Sequence, residues 1–286
     1  MRVVDVAGKD VARAAQLLQA SPLVEYAEPD YVVRADAITP NDPSYSGQWG
    51  PVAMQAPAAW SISTGSSSVV IAIIDTGVDL PNLEFAGKIV TGCDFVNRDD
   101  SAQDDHGHGT HVAGIAAALG NNGSHMAGIS WGARIMPLKV LSSSGRGSDS
   151  GVSAAIIYAA DHGAKIINLS LGGPGFTWTQ ERAVNYAVAR GVVVVASAGN
   201  NGNSTPNYPA AYANALAVAA TTPSNQRASF SNFGSYVDLA APGYDILSLR
   251  VGTGSVRYDG TSMASPHVAG ATIWGAAIVD TQVMVD

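Results

Sequence analysis

Val69-Val70-Ile71-Ala72-Ile73-Ile74 contains no polar residue and ends at Asp75-Thr76-Gly77. A strand with one wet face would alternate apolar and polar residues. An unbroken run fits a strand buried on both faces, as in a parallel sheet covered by helices on each side. Strand-like runs follow at 88–95, 133–140, 165–169, 192–196 and 215–220, with helix-like runs at 108–119, 150–162 and 179–190 between several of them. This alternation predicts an α/β fold: a three-layer, doubly wound, mostly parallel sheet with right-handed crossovers. Functional groups in such a sheet lie beyond the carboxyl ends of its strands. Asp75 and Asn200 each stand just past a strand-like run.

The 286 residues suit one large core, with 47% hydrophobic and 13% charged residues. A net charge of −8 and the absence of a long basic run argue against nucleic acid or an anionic membrane as partner. No apolar run is long enough to span a bilayer, and the start at Met1 lacks the apolar segment of a signal peptide. The single cysteine, Cys93, excludes an intrachain disulfide and reads as a small buried hydrophobe. Residues 1–35 differ from the rest. Residues 9–20 have helical spacing with Asp10 as a cap, Ser21-Pro22 breaks the pattern, and 24–33 read as extended. The stretch 39–43 is a turn-rich link.

The chemistry gathers in three stretches. Gly260-Thr261-Ser262-Met263-Ala264-Ser265-Pro266-His267 leads into a helix-prone run at 268–279, which sets Ser262 at or near a helix N-terminus. Unpaired N–H groups there favour negative charge, so a serine could attack a carbonyl and have the oxyanion held by its own N–H. Alone, Ser262 would read as an N-cap. Asp75-Thr76-Gly77 and His108-Gly109-Thr110-His111-Val112-Ala113-Gly114 supply an orienting carboxylate and a base. Asn200 closes Ala198-Gly199-Asn200, where an isolated Gly-Asn would read as a turn. A zinc site built from His106, His108 and His111 beside Asp104 and Asp105 is a weaker alternative, because the helical His-Glu-x-x-His spacing is absent.

In that order, these blocks resemble the Asp, His and Ser blocks of the subtilisin family of serine proteases. The handling of the Asp-His-Ser order on that fold is a general template for acyl transfer. The resemblance implies Ser262 as nucleophile, His108 as general base and then acid, Asp75 as the group orienting the imidazole, and Asn200 as an oxyanion donor. It makes His111 and His267 structural. It also implies that Ser144, Gly145, Arg146 and Gly147, with Ser170, Leu171 and Gly172, sandwich an extended peptide. Ala198 and Gly199 would wall the pocket before the scissile bond, with Asn201 and Asn207 at its rim and floor. No carboxylate is placed there to pair with Arg or Lys.

The closest likeness is to a calcium-binding, thermostable branch of that family. It implies a Ca²⁺ site from Asp42, Glu84 and Asn122 with the carbonyls of Leu119, Ser124 and Met126, an oxygen set that suits this ion. Glu84 stands where the family has Asp. A weaker second site would use Asp94, Asp99, Ser101 and Gln103, where Asn97 replaces an Asp; a solvated acidic loop is the alternative. Residues 1–35 resemble the second half of the family's propeptide, and 36–286 its peptidase domain without the closing helix and strands. Both ends therefore read as truncated. The expectation is a secreted, monomeric endopeptidase acting on proteins and peptides, with its own propeptide as partner. The rival is a non-catalytic fragment that binds peptide or propeptide without turnover.

Overall fold

The computed structural model describes residues 11–28 and 37–277, with side chains as far as Trp274. It divides into two compact units, residues 1–36 and 37–286. In the first unit, α1 (Val11–Gln19) forms on the predicted helical spacing and buries none of its residues. A turn at Ser21 follows, and the Ala27 N–H returns to the Gln19 side chain at 2.7 Å. Asp10 and half of the predicted extended stretch, from Pro29 onward, lie outside the described residues.

The second unit opens with the short helices α2 (Trp49–Ala53) and α3 (Ala56–Trp60), and β1 (Val70–Asp75) follows. Next come β2 (Cys93–Asp94), α4 (His108–Ala117), β3 (Arg134–Lys139), α5 (Asp149–Asp161), β4 (Ile166–Leu169) and α6 (Trp178–Ala189). The unit continues with β5 (Val193–Ser197), β6 (Leu216–Thr221), β7 (Leu239–Pro242), the strands β8 (Ile246–Leu249) and β9 (Ser255–Tyr258), and α7 (Thr261–Ala277). The first seven strands form one sheet in the order β2-β3-β1-β4-β5-β6-β7, every pair parallel, and β8 and β9 form an antiparallel pair.

The apolar run at 69–74 has the predicted cause. Ile71 and Ile73 join a core with Val112 and Ile115 of α4 and Met263 and Ala269 of α7. Val70, Ala72 and Ile74 join the opposite core with Ile156 of α5 and Val184 of α6. Both faces of β1 are dry, so neither tolerates a polar side chain. From β1 the chain moves outward to β2 and β3, then crosses to β4 on the other side of β1. That reversal opens a crevice at the carboxyl ends of β1 and β4. Asp75 closes β1, and Ser170 follows β4.

Two predicted elements differ. The strand expected over 88–95 keeps only Cys93–Asp94 as regular strand. Val90 N–H bonds to Ile135 O and Phe95 N–H to Lys139 O, but between them Pro137 offers no N–H to the ladder. Gly92 meets the Pro137 carbonyl so closely that an added Cβ would lie 2.0 Å from it. The helix expected from 268 starts at Thr261 instead and runs through Pro266. Among the described residues, no helix is long and apolar enough to cross a membrane.

Candidate active site

Asp75 is fully buried at the end of β1, and its Oδ1 lies 2.7 Å from His108 Nδ1. His108 is the first residue of α4. Its helix can approach because the next residue is Gly109: a Cβ there would lie 2.1 Å from Gly77 O and 3.1 Å from Asp75 Cβ. With Nδ1–H donating to Asp75, Nε2 of the neutral ring is left as the proton acceptor. Burial disfavours the imidazolium, but the charge and hydrogen bond of Asp75 and the charge of Asp104 outweigh it. The result is a His108 pKa raised above its ordinary value.

The turn before α4 is held by Asp104, which the sequence reading treated only as a metal candidate. This buried carboxylate accepts from the N–H groups of His106, Gly107 and Thr110 and from the hydroxyls of Thr76 and Thr110, all between 2.6 and 2.9 Å. Thr76 Oγ1 in turn accepts from Gly109 N–H at 2.8 Å. An acidic residue four positions before a helix start was the available signal, since a carboxylate there satisfies orphan N–H groups. With Asp104 so engaged, the zinc alternative has no cage. His111 turns its Nε2 to the carbonyls of Ile246 and Val256, and burial lowers its pKa to about 3. No group of three or more His, Cys, Asp or Glu side chains placed to hold a metal ion gathers among the described residues.

Ser262 lies in the first turn of α7. Pro266, four residues on, has no N–H, so the Ser262 carbonyl receives no helical bond from it. Ser170 fills the gap: its Oγ donates to Ser262 O at 2.7 Å, and its own carbonyl accepts from Ser262 Oγ at 3.1 Å. Asn168 of β4 extends the tie through Ser170 Oγ and Ser265 Oγ. The Ser262 hydroxyl therefore rests on Ser170 and not on His108. Asn200 Oδ1 accepts from both the N–H and the hydroxyl of Thr261, at 2.8 and 2.9 Å, which leaves Nδ2 as its outward donor. A Cβ on Gly260 would come within 3.5 Å of Ser262 N and 3.6 Å of Asn200 Nδ2, so the bare glycine borders both donors.

Beside this group opens a cleft of about 700 Å³ that reaches His108. Ser144, Gly145, Arg146 and Gly147 line it from one segment and Ser170, Leu171 and Gly172 from another. Both predicted peptide-binding segments thus face the same space.

A model of the subtilase family, peptidase family S8, matches residues 66–274. The chain belongs to the subtilase family. It is 50% identical over 262 residues to the thermophilic serine proteinase of Bacillus sp. (strain AK1), covering 91% of this chain and 65% of that protein. It is 52% identical over 233 residues to thermitase of Thermoactinomyces vulgaris, covering 81% and 83%. A solved protease of Pseudoalteromonas arctica PAMC 21717 superposes with a TM-score of 0.77 at 32% identity, covering 83% of this chain and 86% of that one. The chain spans just under two thirds of the length of the first of these relatives.

In this subtilase the expected pocket residues divide. Ala198 is buried, its carbonyl held by Tyr236 Oη at 2.7 Å. Asn207 is buried, with Nδ2 on Ser197 O at 3.3 Å. It fills the space that a Cβ on Gly172 or Gly199 would need. Asn201 is exposed, its N–H on Asn232 Oδ1 at 2.8 Å.

The loops expected to hold calcium also divide. Asp42 and Glu84 are both buried, 4% and 1% exposed. Neither forms an ion pair among the described residues, and Asn122 Nδ2 reaches Glu84 at 3.4 Å. Burial and the charge of Asp42 raise the Glu84 pKa, against hydrogen bonds from Ser124 and Asn122. Two buried, mutually repelling carboxylates suit a hard divalent cation, while the Asn122 amide turns its Nδ2 to Glu84 and its Oδ1 to Ser124 N–H. At the second set, Asp94 already accepts from Val96 N–H, Asn97 N–H and Asn97 Nδ2. Gln103 is engaged with Leu80 N–H and Asp79, away from Asp94. Only Asp99 and Ser101 stay beside Asp94 on that loop, Asp99 through a backbone bridge to Asp94 and a side-chain bond to Ser101 N–H.

Proposed function

We propose that this chain is a serine endopeptidase that cleaves extended polypeptides through an acyl-enzyme. The observation that carries the reading is the 2.7 Å Asp75–His108 bond at the mouth of a peptide-sized cleft. Ser262 attacks the scissile carbonyl after its hydroxyl turns from Ser170 O to His108 Nε2, which takes the proton and later gives it to the leaving amine. Asp75 stabilises the imidazolium. Ser262 N–H and Asn200 Nδ2 hold the oxyanion; loss of one such donor costs roughly a hundredfold to a thousandfold in rate. The substrate adds as a strand between 144–147 and 170–172, which reads backbone rather than side chains. The segment at Gly199 is neutral and small, which favours a large apolar side chain before the scissile bond. Burial there is worth about 25 cal/mol per Å², whereas a cation would lose hydration without gaining a partner.

A serine-directed fluorophosphonate should label Ser262 and not a Ser262→Ala variant, read by peptide mapping. Matched tetrapeptide anilides should then rank Phe, Leu, Tyr and Met above Arg and Lys before the scissile bond. A preference for Arg or Lys by more than about tenfold, roughly 1.4 kcal/mol of discrimination, would contradict the pocket reading. The non-catalytic alternative has no observation in its favour.

We further infer that calcium binds at Asp42, Glu84 and Asn122 with the carbonyls of Leu119, Ser124 and Met126, where it would supply fixed positive charge. Residues 1–35 act as an inhibitory propeptide of a secreted, monomeric enzyme, released by cleavage within 34–38. N-terminal sequencing of the active form tests this, and a start far inside the body would contradict it. Residues 29–36 lie outside the described residues.

A further inference from the structure

The inward stripe of α6 consists of Gln180, Ala183, Val184 and Ala187. Three of the four are the apolar residues that a helix packed on a sheet requires. Gln180 is the exception: it is only 2% exposed, yet its side-chain amide makes no hydrogen bond among the described residues. Neither its Oε1 nor its Nε2 is a fully buried unpaired atom, so the amide meets the solvent of the cleft, and a group that covered it without pairing it would leave it unsatisfied at a cost. Gln180 also lines the cleft, together with Val152, Leu171 and Tyr208. Its free donor and acceptor therefore stand at the wall of the space where the peptide lies.

We propose that Gln180 is a specificity-determining residue, forming a hydrogen-bonding subsite for a polar, uncharged side chain of the substrate upstream of the scissile bond. This rests on the endopeptidase reading above and adds a second selective position to it. An apolar side chain entering there would seal the amide from water and leave it unpaired. A substrate Asn or Gln offers a matching donor and acceptor, and Ser or Thr a hydroxyl that can do either. The charged cleft residues Asp149 and Arg146 are exposed and form no ion pair with each other, so their charges are screened by solvent. The nearly buried Gln180 is the group whose pairing an incoming side chain decides.

The test uses peptide anilides with Phe before the scissile bond and positions two to five varied in turn between the near-isosteric pairs Asn/Leu and Gln/Met. At one position the wild-type chain should favour the polar member in kcat/KM by about fivefold or more, the low end of what an unsatisfied buried polar group costs. Gln180→Met should reverse that preference at the same position and leave the ranking before the scissile bond unchanged. Thermal melting of the variant checks that the fold is kept. An apolar preference at all four positions in the wild type, or an unaltered profile in Gln180→Met, overturns the proposal. Should the chain neither turn over peptides nor label at Ser262, the endopeptidase reading itself fails. Binding of the same peptides, read by fluorescence anisotropy with wild type and Gln180→Met, then decides the subsite alone.

Discussion

At the scale of single residues, the Asp75–His108 pair is the group on which the proposed chemistry turns. A histidine base works only when neutral, and Asp75 holds on to the proton: the His108 pKa is raised although burial opposes the charge. The acid limb of kcat/KM should therefore have its midpoint above the ordinary histidine value of about 6.5. Asp75→Asn removes the charge, so the limb should move down in pH while the rate falls by about four orders of magnitude from the wrong tautomer. A limb that stays in place in Asp75→Asn would separate it from His108. The same shift has a stability counterpart with the opposite pH sense. A raised histidine stabilises the fold fully below the unfolded value of about 6.5, and that contribution is lost as pH rises through the folded value. Activity should thus be highest where this pair contributes least to stability. The meeting of Asp75 and His108 was legible because each sits in a dense local motif. The contributions of Asp104 and Ser170 were not, because they depend on hydrogen bonds to residues brought near only by the fold.

Helices α4 and α7 present the site, and each does so by breaking a local rule. In α7 Pro266 removes a helical bond at Ser262, and a side chain of the segment after β4 replaces it. The apolar run that marks this helix in the sequence begins only at 268, two residues beyond the proline, although the helix itself starts at Thr261. In α4 a glycine in the first turn weakens the helix but lets it touch β1. Gly109→Ala should therefore push the helix start off Gly77 and Asp75, since the clash at 2.1 Å is with backbone. Overpacking of this kind costs about 1–3 kcal/mol, and the displaced His108 should reduce kcat/KM by at least tenfold. Melting and kinetics on one preparation check both. A variant as active and as stable as the wild type would show that the close approach is not what seats His108. The broken strand at 88–95 teaches a related lesson. Its apolar pattern was read correctly, but Pro137 lies over forty positions away and is adjacent only in the sheet.

At the scale of the whole molecule, the loops around Asp42 join the start of the second unit to its body. Asp42 accepts from Asn121 N–H at 2.6 Å, Asn41 exchanges bonds with Asn121 and Gly123, and Leu119 N–H donates to Glu84 O. The donor residues come from three stretches far apart in sequence, so they converge only in the folded state. An ion bound there stabilises folding by mass action, about 2.7 kcal/mol at a hundredfold excess over its Kd. For a domain of this size that corresponds to a melting shift of roughly 5–10 °C. Melting curves with excess calcium and with chelator should separate by that amount, and Glu84→Gln should remove most of the separation. The pH dependence follows from the shifts. Burial and Asp42 raise the Glu84 pKa, so a proton competes with the cation at a higher pH than for an ordinary carboxylate. The calcium-dependent part of the stability should fade on acidification through that raised value and return on neutralisation. Superimposable curves, once removal of bound metal has been verified by atomic absorption, would leave Asp42 and Glu84 as a buried repulsion held by the hydrogen bonds of Asn121, Asn122 and Ser124.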